Sequence, residues 1–245
     1  MSRDSSPGHL DPLPEFRVRV SDRARRVRLT VTPRDGLVVV VPRRWRGDPA
    51  ALVAEKAAWA RAALAIYAER HALFSAGPEA LLPDAVALAA LGETWPVEYR
   101  ATSSASVRAS VDGSMLVVSG DVGDAEKCLG ALRRWLDRTA RERLLPLLAE
   151  TAADAGLAYE SARVRSQKTR WGSCSVHRTI SLNRNLVFLP EHLVRSLMLH
   201  ELAHTLVMDH SERFWTTLAS YDPQARAHRV QMRDAHDFVP AWAEA

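Results

Sequence analysis

Between Arg195 and Trp215 the chain reads RSLMLHELAHTLVMDHSERFW, and its chemistry lies in His200-Glu201-Leu202-Ala203-His204 with His210 six residues on. On a helix, residues four apart stand one turn above each other, so His200 and His204 present two imidazoles to one metal ion. A glutamate beside two zinc ligands is placed to take a proton from the water that the metal activates, and a third protein ligand leaves one position open for chemistry. His210 is the candidate third ligand. On this composition a His-Glu-x-x-His match arises by chance about two times in a hundred. Cys174, a structural cysteine by its small apolar character, and the surface histidines His177 and His192 stand in reserve.

This pattern imposes a geometric condition. A helix turns about 100° per residue, so in an unbroken helix His210 points roughly 80° away from the His200 row. The helix must therefore end near Val207 or Met208. Asp209-x-x-Glu212 resembles a capping box that opens a second helix and lets His210 fold back. Leu193, Val194, Leu197, Met198, Leu199, Leu202, Leu206 and Val207 surround almost the whole first helix, which predicts burial on most sides. Glu201 inside such a helix requires a compensating metal or ion pair.

The elements that position this helix follow from periodicity. Residues 1–14, rich in Ser, Pro, Gly and Asp, read as a disordered tail. Phe16 to Ser21 and Val27 to Thr32 alternate polar and apolar residues as strands do, and Leu37 to Val41 closes a hairpin. Asp48-Pro49 predicts the start of one long helix to about Arg70, with Leu52, Trp59, Ala63, Ile66 and Tyr67 buried. After a Gly- and Pro-containing linker at 75–84, strands are expected at 86–91, 95–99, 106–111 and 115–119, the last pair turning at Asp112-Gly113. Asp124 to about Ala155 reads as helix, kinked or divided at Pro146 and stopped by Gly156. Strands at 163–166 and 179–183 precede the histidine helix, and two further helices follow it. The expected class is α+β: a β-rich region with one long helix over 15–122 and a metallohydrolase core over 123–245, or a single domain over 15–245.

Between those last strands, Arg170, Trp171, Gly172 and Ser173 are candidates for the wall of a substrate cleft, with an exposed edge that an extended peptide can join. The competing reading is a packed loop with Trp171 in the core and Gly172 at an unusual backbone angle. The arginines Arg23, Arg25, Arg26 and Arg28, and Arg43, Arg44 and Arg46, suit phosphate contacts, but polar residues alternate with apolar ones over 26–32 as on the solvated face of a strand, and the sequence favours that reading. Composition is that of a globular protein: 245 residues, 47% hydrophobic, net charge +4 and two cysteines. No disulfide framework, secretory signal or membrane span is indicated, so a cytoplasmic protein is expected.

The motifs Arg170-Trp171-Gly172-Ser173-Cys174-Ser175, Ile180-Ser181-Leu182-Asn183, the His200 to His204 pentapeptide and His210-Ser211-x-x-Phe214-Trp215 together resemble the YgjP-like metallopeptidase family, relatives of the SprT-like zinc proteases. The resemblance extends to Arg25–Pro42, Lys56–Trp59 and Leu132–Ala140. It implies a zincin-like core of the minigluzincin type, a small sheet packed beside the active-site helix, with one catalytic Zn2+ on His200, His204 and His210 and Glu201 as general base. Val207 stands where metzincins require glycine, which excludes that group. The implied substrate is a peptide or protein. A nucleotide pyrophosphatase activity attributed to some members keeps nucleoside triphosphates as an alternative, and the SprT-like kinship keeps a DNA-associated module as another.

Overall fold

In the computed structural model, the structure describes residues 12–244. The expected tail lies outside the described residues up to position 11. The fold is mixed α+β, with three small sheets, and it divides into two compact units at Ala80 and Leu81, within the stretch 75–84.

The first unit opens with three strands, β1 (Phe16–Ser21), β2 (Arg28–Thr32) and β3 (Gly36–Pro42). The hairpin β2–β3 forms as its turn chemistry dictates, with Gly36 at φ +65°, while β1 pairs parallel with β3 on its other side. Leu37, Val39 and Val41 carry the core of this unit, in one cluster with Val53 and Ala60. The expected single helix is three: α1 (Pro49–Glu55), α2 (Ala57–Ile66) and α3 (Ala68–Ala76). Its buried face is also rotated by one residue, about 100°, from the expected one. Val53, Ala60 and Leu64 face the sheet, whereas Trp59 is 48% exposed and Ile66 73% exposed. Alanine lets a helix approach a sheet closely, and a tryptophan on that face would hold it off.

The second unit begins with a four-stranded sheet of order β4-β5-β7-β6: β4 (Ala85–Leu88), β5 (Glu93–Ala101), β6 (Arg108–Asp112) and β7 (Met115–Gly120). A single 31-residue helix, α4 (Ala125–Ala155), follows. Asp124 caps it by accepting the Lys127 amide, Gly156 ends it in the left-handed region, and Pro146 does not divide it. Leu129, Leu132, Leu136, Leu144 and Leu148 are all buried along it. Next come β8 (Ser161–Arg165), β9 (Gly172–Cys174) and β10 (Thr179–Asn183), a sheet of order β8-β10-β9. The stretch expected to be a loop at 172–174 is thus an edge strand, antiparallel to β10 with Ser173 opposite Ser181. The chain ends in α5 (Glu191–Ala203), α6 (Glu212–Tyr221), a shorter helix than expected at α7 (Ala225–Gln231), and α8 (Ala241–Glu244). Among the described residues no helix is long and apolar enough to cross a membrane.

Candidate metal centre

His200 and Glu201 occupy the last turn of α5, and His204 caps it. The helix breaks, four residues earlier than expected: it ends at Ala203, and a tight turn closed by the Val207 amide on the Ala203 carbonyl, at 3.0 Å, completes it. The chain then reverses. Asp209 does not cap the next helix as the capping-box reading required; its Oδ1 accepts the Ser211 amide two residues on, at 3.0 Å, and Ser211 is the N-cap of α6. This Asx turn points His210 back at α5.

The result brings all three histidines together, with their ligand atoms within 4.8 Å of one another. His200 Nε2 and His210 Nε2 stand 3.1 Å apart. Nitrogens on a tetrahedral zinc ion, with bonds of 2.0–2.1 Å, are separated by about 3.3 Å, so this spacing fits a shared cation. His204 Nδ1 donates to the Val207 carbonyl at 3.0 Å, which fixes its tautomer and leaves Nε2 free as a ligand. Burial, aided by His204, His210 and Arg229, pushes the His200 imidazole down to about 3. Burial also lowers His204. Both rings therefore stay neutral near pH 7, the form that binds metal. Phe214, fully buried, underlies all three: its ring stacks on His204 at 4.5 Å and meets His200 and His210 edge-on at 4.8 and 4.9 Å.

Glu201 is only 5% exposed. Burial raises its carboxyl from 4.5 to about 7, against the opposing pull of the Arg170 charge and of a hydrogen bond from the Cys174 amide. That amide is available because β9 is an edge. Trp171 pairs with Asn183 and Ser175 with Thr179, through bonds of 2.8 and 3.0 Å, so the alternation of an antiparallel ladder turns the polar groups of Gly172 and Cys174 away from β10. Gly172 does not have the unusual backbone angle considered above, since its φ is not positive. Space explains it instead: a Cβ there would lie 2.6 Å from Glu201 Oε1 and 2.8 Å from its Cγ.

A cleft of about 310 Å³ opens over this centre, lined by His200, Glu201, His204, Met208 and His210 on one side and by Arg170, Gly172, Ser173 and Cys174 on the other. Trp171 is half-buried, its ring tilted against that of His236 with centroids 4.7 Å apart, so it is in neither the core nor the cleft lining. Cys174 faces the cleft but stands outside the histidine cluster, and burial raises its thiol. His177 is exposed and His192 bonds Gln231, both outside the cluster.

Two supporting contacts, one of them made by a residue already named in the Ile180–Asn183 motif, had no role assigned from the sequence. Buried Asn183 donates its side-chain amide to the carbonyls of Gln167 and Arg170, at 2.7 and 2.8 Å, and so pins the segment leading into β9. Buried Asp222 accepts from Ser196 on α5 at 2.6 Å and from His228 on α7 at 2.9 Å, tying both helices together. Asn183 had a signal, its place at the end of a predicted strand before a sharp turn, whereas no local spacing announces the second.

Residues 25–235 match the model of the YgjP-like metallopeptidase domain. The chain belongs to the YgjP-like metallopeptidase family. No match is found among curated proteins. Among solved structures, the YgjP-like chain is similar to the metallopeptidase zymogen jannalysin of Methanocaldococcus jannaschii, at 19% identity and a TM-score of 0.33, covering 37% of this chain and 94% of that one. A likeness that slight adds nothing to the family assignment.

Proposed function

We propose that this protein is a zinc-dependent peptidase in which Glu201 is the general base and His200, His204 and His210 hold the ion. The observation that carries this reading is the convergence of three imidazoles beside a buried carboxyl group. A zinc ion held there supplies Lewis-acid activation of water and of the scissile carbonyl. Glu201 accepts the water proton on a carboxylate oxygen and returns it to the departing amine. The Cys174 amide keeps that carboxylate aimed. The outward polar groups of β9 offer an extended peptide a strand to pair with, which orients its backbone across the cleft. Arg170 is the one permanently charged cation among the cleft residues, little counter-charge for a triphosphate, which favours a peptide over a nucleotide.

The test is substitution with metal analysis. Glu201→Gln is expected to retain one zinc per chain while peptide turnover falls by a factor on the order of 10²–10⁴. His204→Ala is expected to lose the zinc. Full turnover by Glu201→Gln would overturn the assignment of the base.

A further inference from the structure

We infer that the N-terminal unit carries a second binding face, for the phosphate backbone of a nucleic acid, at the end of its sheet where β1 and β3 finish. Residues 17–46 hold ten arginines and two aspartates, a net +8, although the entire chain carries only +4. All ten arginines are exposed. Strand alternation accounts for few of them. The register pairs Ser21 with Pro42, and Arg28 with Val40, so the connection 22–27, the start of β2 and the connection 43–48 all meet at one end of the sheet. Arg23, Arg25, Arg26, Arg28, Arg43, Arg44 and Arg46 are gathered there by topology.

Little acidic charge opposes them. Asp22 pairs with Arg43 at 3.4 Å, and Asp48 is engaged in capping α1 through the Ala50 amide. Arg46 bonds the carbonyls of Arg43 and Trp45. Among the described residues Arg23, Arg25, Arg26, Arg28 and Arg44 have no ion pair. Both connections are held in shape, by the Ala24 amide on Ser21 and the Trp45 amide on Pro42, at 3.2 and 3.0 Å. Trp45 packs on the core of this unit, and its ring lies so close over Gly47 that a Cβ there would be 2.3 Å away. The arginines are thus displayed on a formed surface.

The chemistry of the face selects its partner. The exposed large hydrophobic side chains nearest this face are Val18 and Val20 on β1, at one edge of the sheet, and the arginine-bearing connections 22–27 and 43–48 expose none. Membrane attachment by an inserted apolar face, and a protein interface with an apolar centre, both need one. Repeated phosphates need only spaced guanidinium groups, which bind them bidentately.

The experiment is fluorescence anisotropy of the full chain with duplex and single-stranded oligonucleotides of unrelated sequences, over a salt series. Five unpaired arginines predict a log–log slope of about −4.5 on duplex, a loss of roughly 500-fold in affinity between about 50 and 200 mM salt, with little dependence on sequence. Arg23→Gln/Arg25→Gln/Arg26→Gln is expected to flatten the slope by about 2.7, and Arg44→Gln alone by about 0.9. Circular dichroism melts check that both variants fold. Binding without salt dependence, or unchanged in both variants, overturns the inference. So does binding to phosphatidylserine vesicles with none to nucleic acid.

Discussion

As the proposed general base, Glu201 meets two demands that oppose each other. A base needs a carboxylate near neutrality, and the buried site that tunes it makes its ionised form costly. Its folded value, about 7, lies above the ordinary 4.5. A carboxyl raised on folding contributes stability that is present below about pH 4.5 and is lost as pH rises through 4.5 toward 7. At about 1.4 kcal/mol per unit, the loss in metal-free protein is on the order of 3 kcal/mol. Glutamine does not titrate, and its Oε1 still accepts from the Cys174 amide. Glu201→Gln is therefore expected to be about 3 kcal/mol more stable than wild type at pH 8 in the presence of a chelator, with the difference vanishing near pH 4. His200, lowered to about 3, works the other way, costing stability as pH falls below 6.5, but it is common to both proteins and cancels. Urea unfolding at the two pH values decides it, and equal stabilities at pH 8 would mean that burial does not set this carboxyl.

At the scale of elements, the proposed chemistry depends on how closely β9 approaches α5, and this is where the sequence was least legible. Helix α4 could be read because Asp124 and Gly156 mark its ends and leucines recur at helical spacing between them. The histidine cluster could be read because one helical turn separates His200 from His204, and an unbroken helix would have turned His210 away from them. Strand β9 is three residues long and contains a glycine, so it carries no period at all. Its importance comes from Gly172 lying against Glu201, a contact between residues 29 apart that no local pattern encodes. Gly172→Ala is expected to lower kcat by roughly 10²-fold, since its methyl must displace the carboxylate by about 1 Å. Zinc content should not change, because none of the three imidazoles is near that methyl among its closest neighbours. Parallel loss of zinc and activity would show instead that the substitution disrupts α5, and unchanged kcat would remove Gly172 from the account.

For the molecule as a whole, the three candidate ligands come from the end of α5 and the turn that follows it, so binding a metal there is also a folding event. The sequence indicated mixed α and β elements, yet missed the three-helix path over 49–76, since alanine-rich segments have several faces and only packing against the sheet selects the one with Ala60. It equally missed the tie from α5 to α6 and α7, where Ser196, Asp222 and His228 meet. That tie and the Phe214 ring preset His200, His204 and His210, but the unfolded chain holds no such site. A metal at 1,000 times its dissociation constant therefore stabilises the fold by about 4 kcal/mol. For a protein of this size, that corresponds to a rise in Tm of roughly 8–16 °C. Chelation of the zinc-loaded protein should lower Tm by that amount, re-addition of zinc should restore it, and His204→Ala should melt at the same temperature with and without zinc. A Tm that ignores both chelator and zinc in the wild type would mean the imidazole cluster holds no ion.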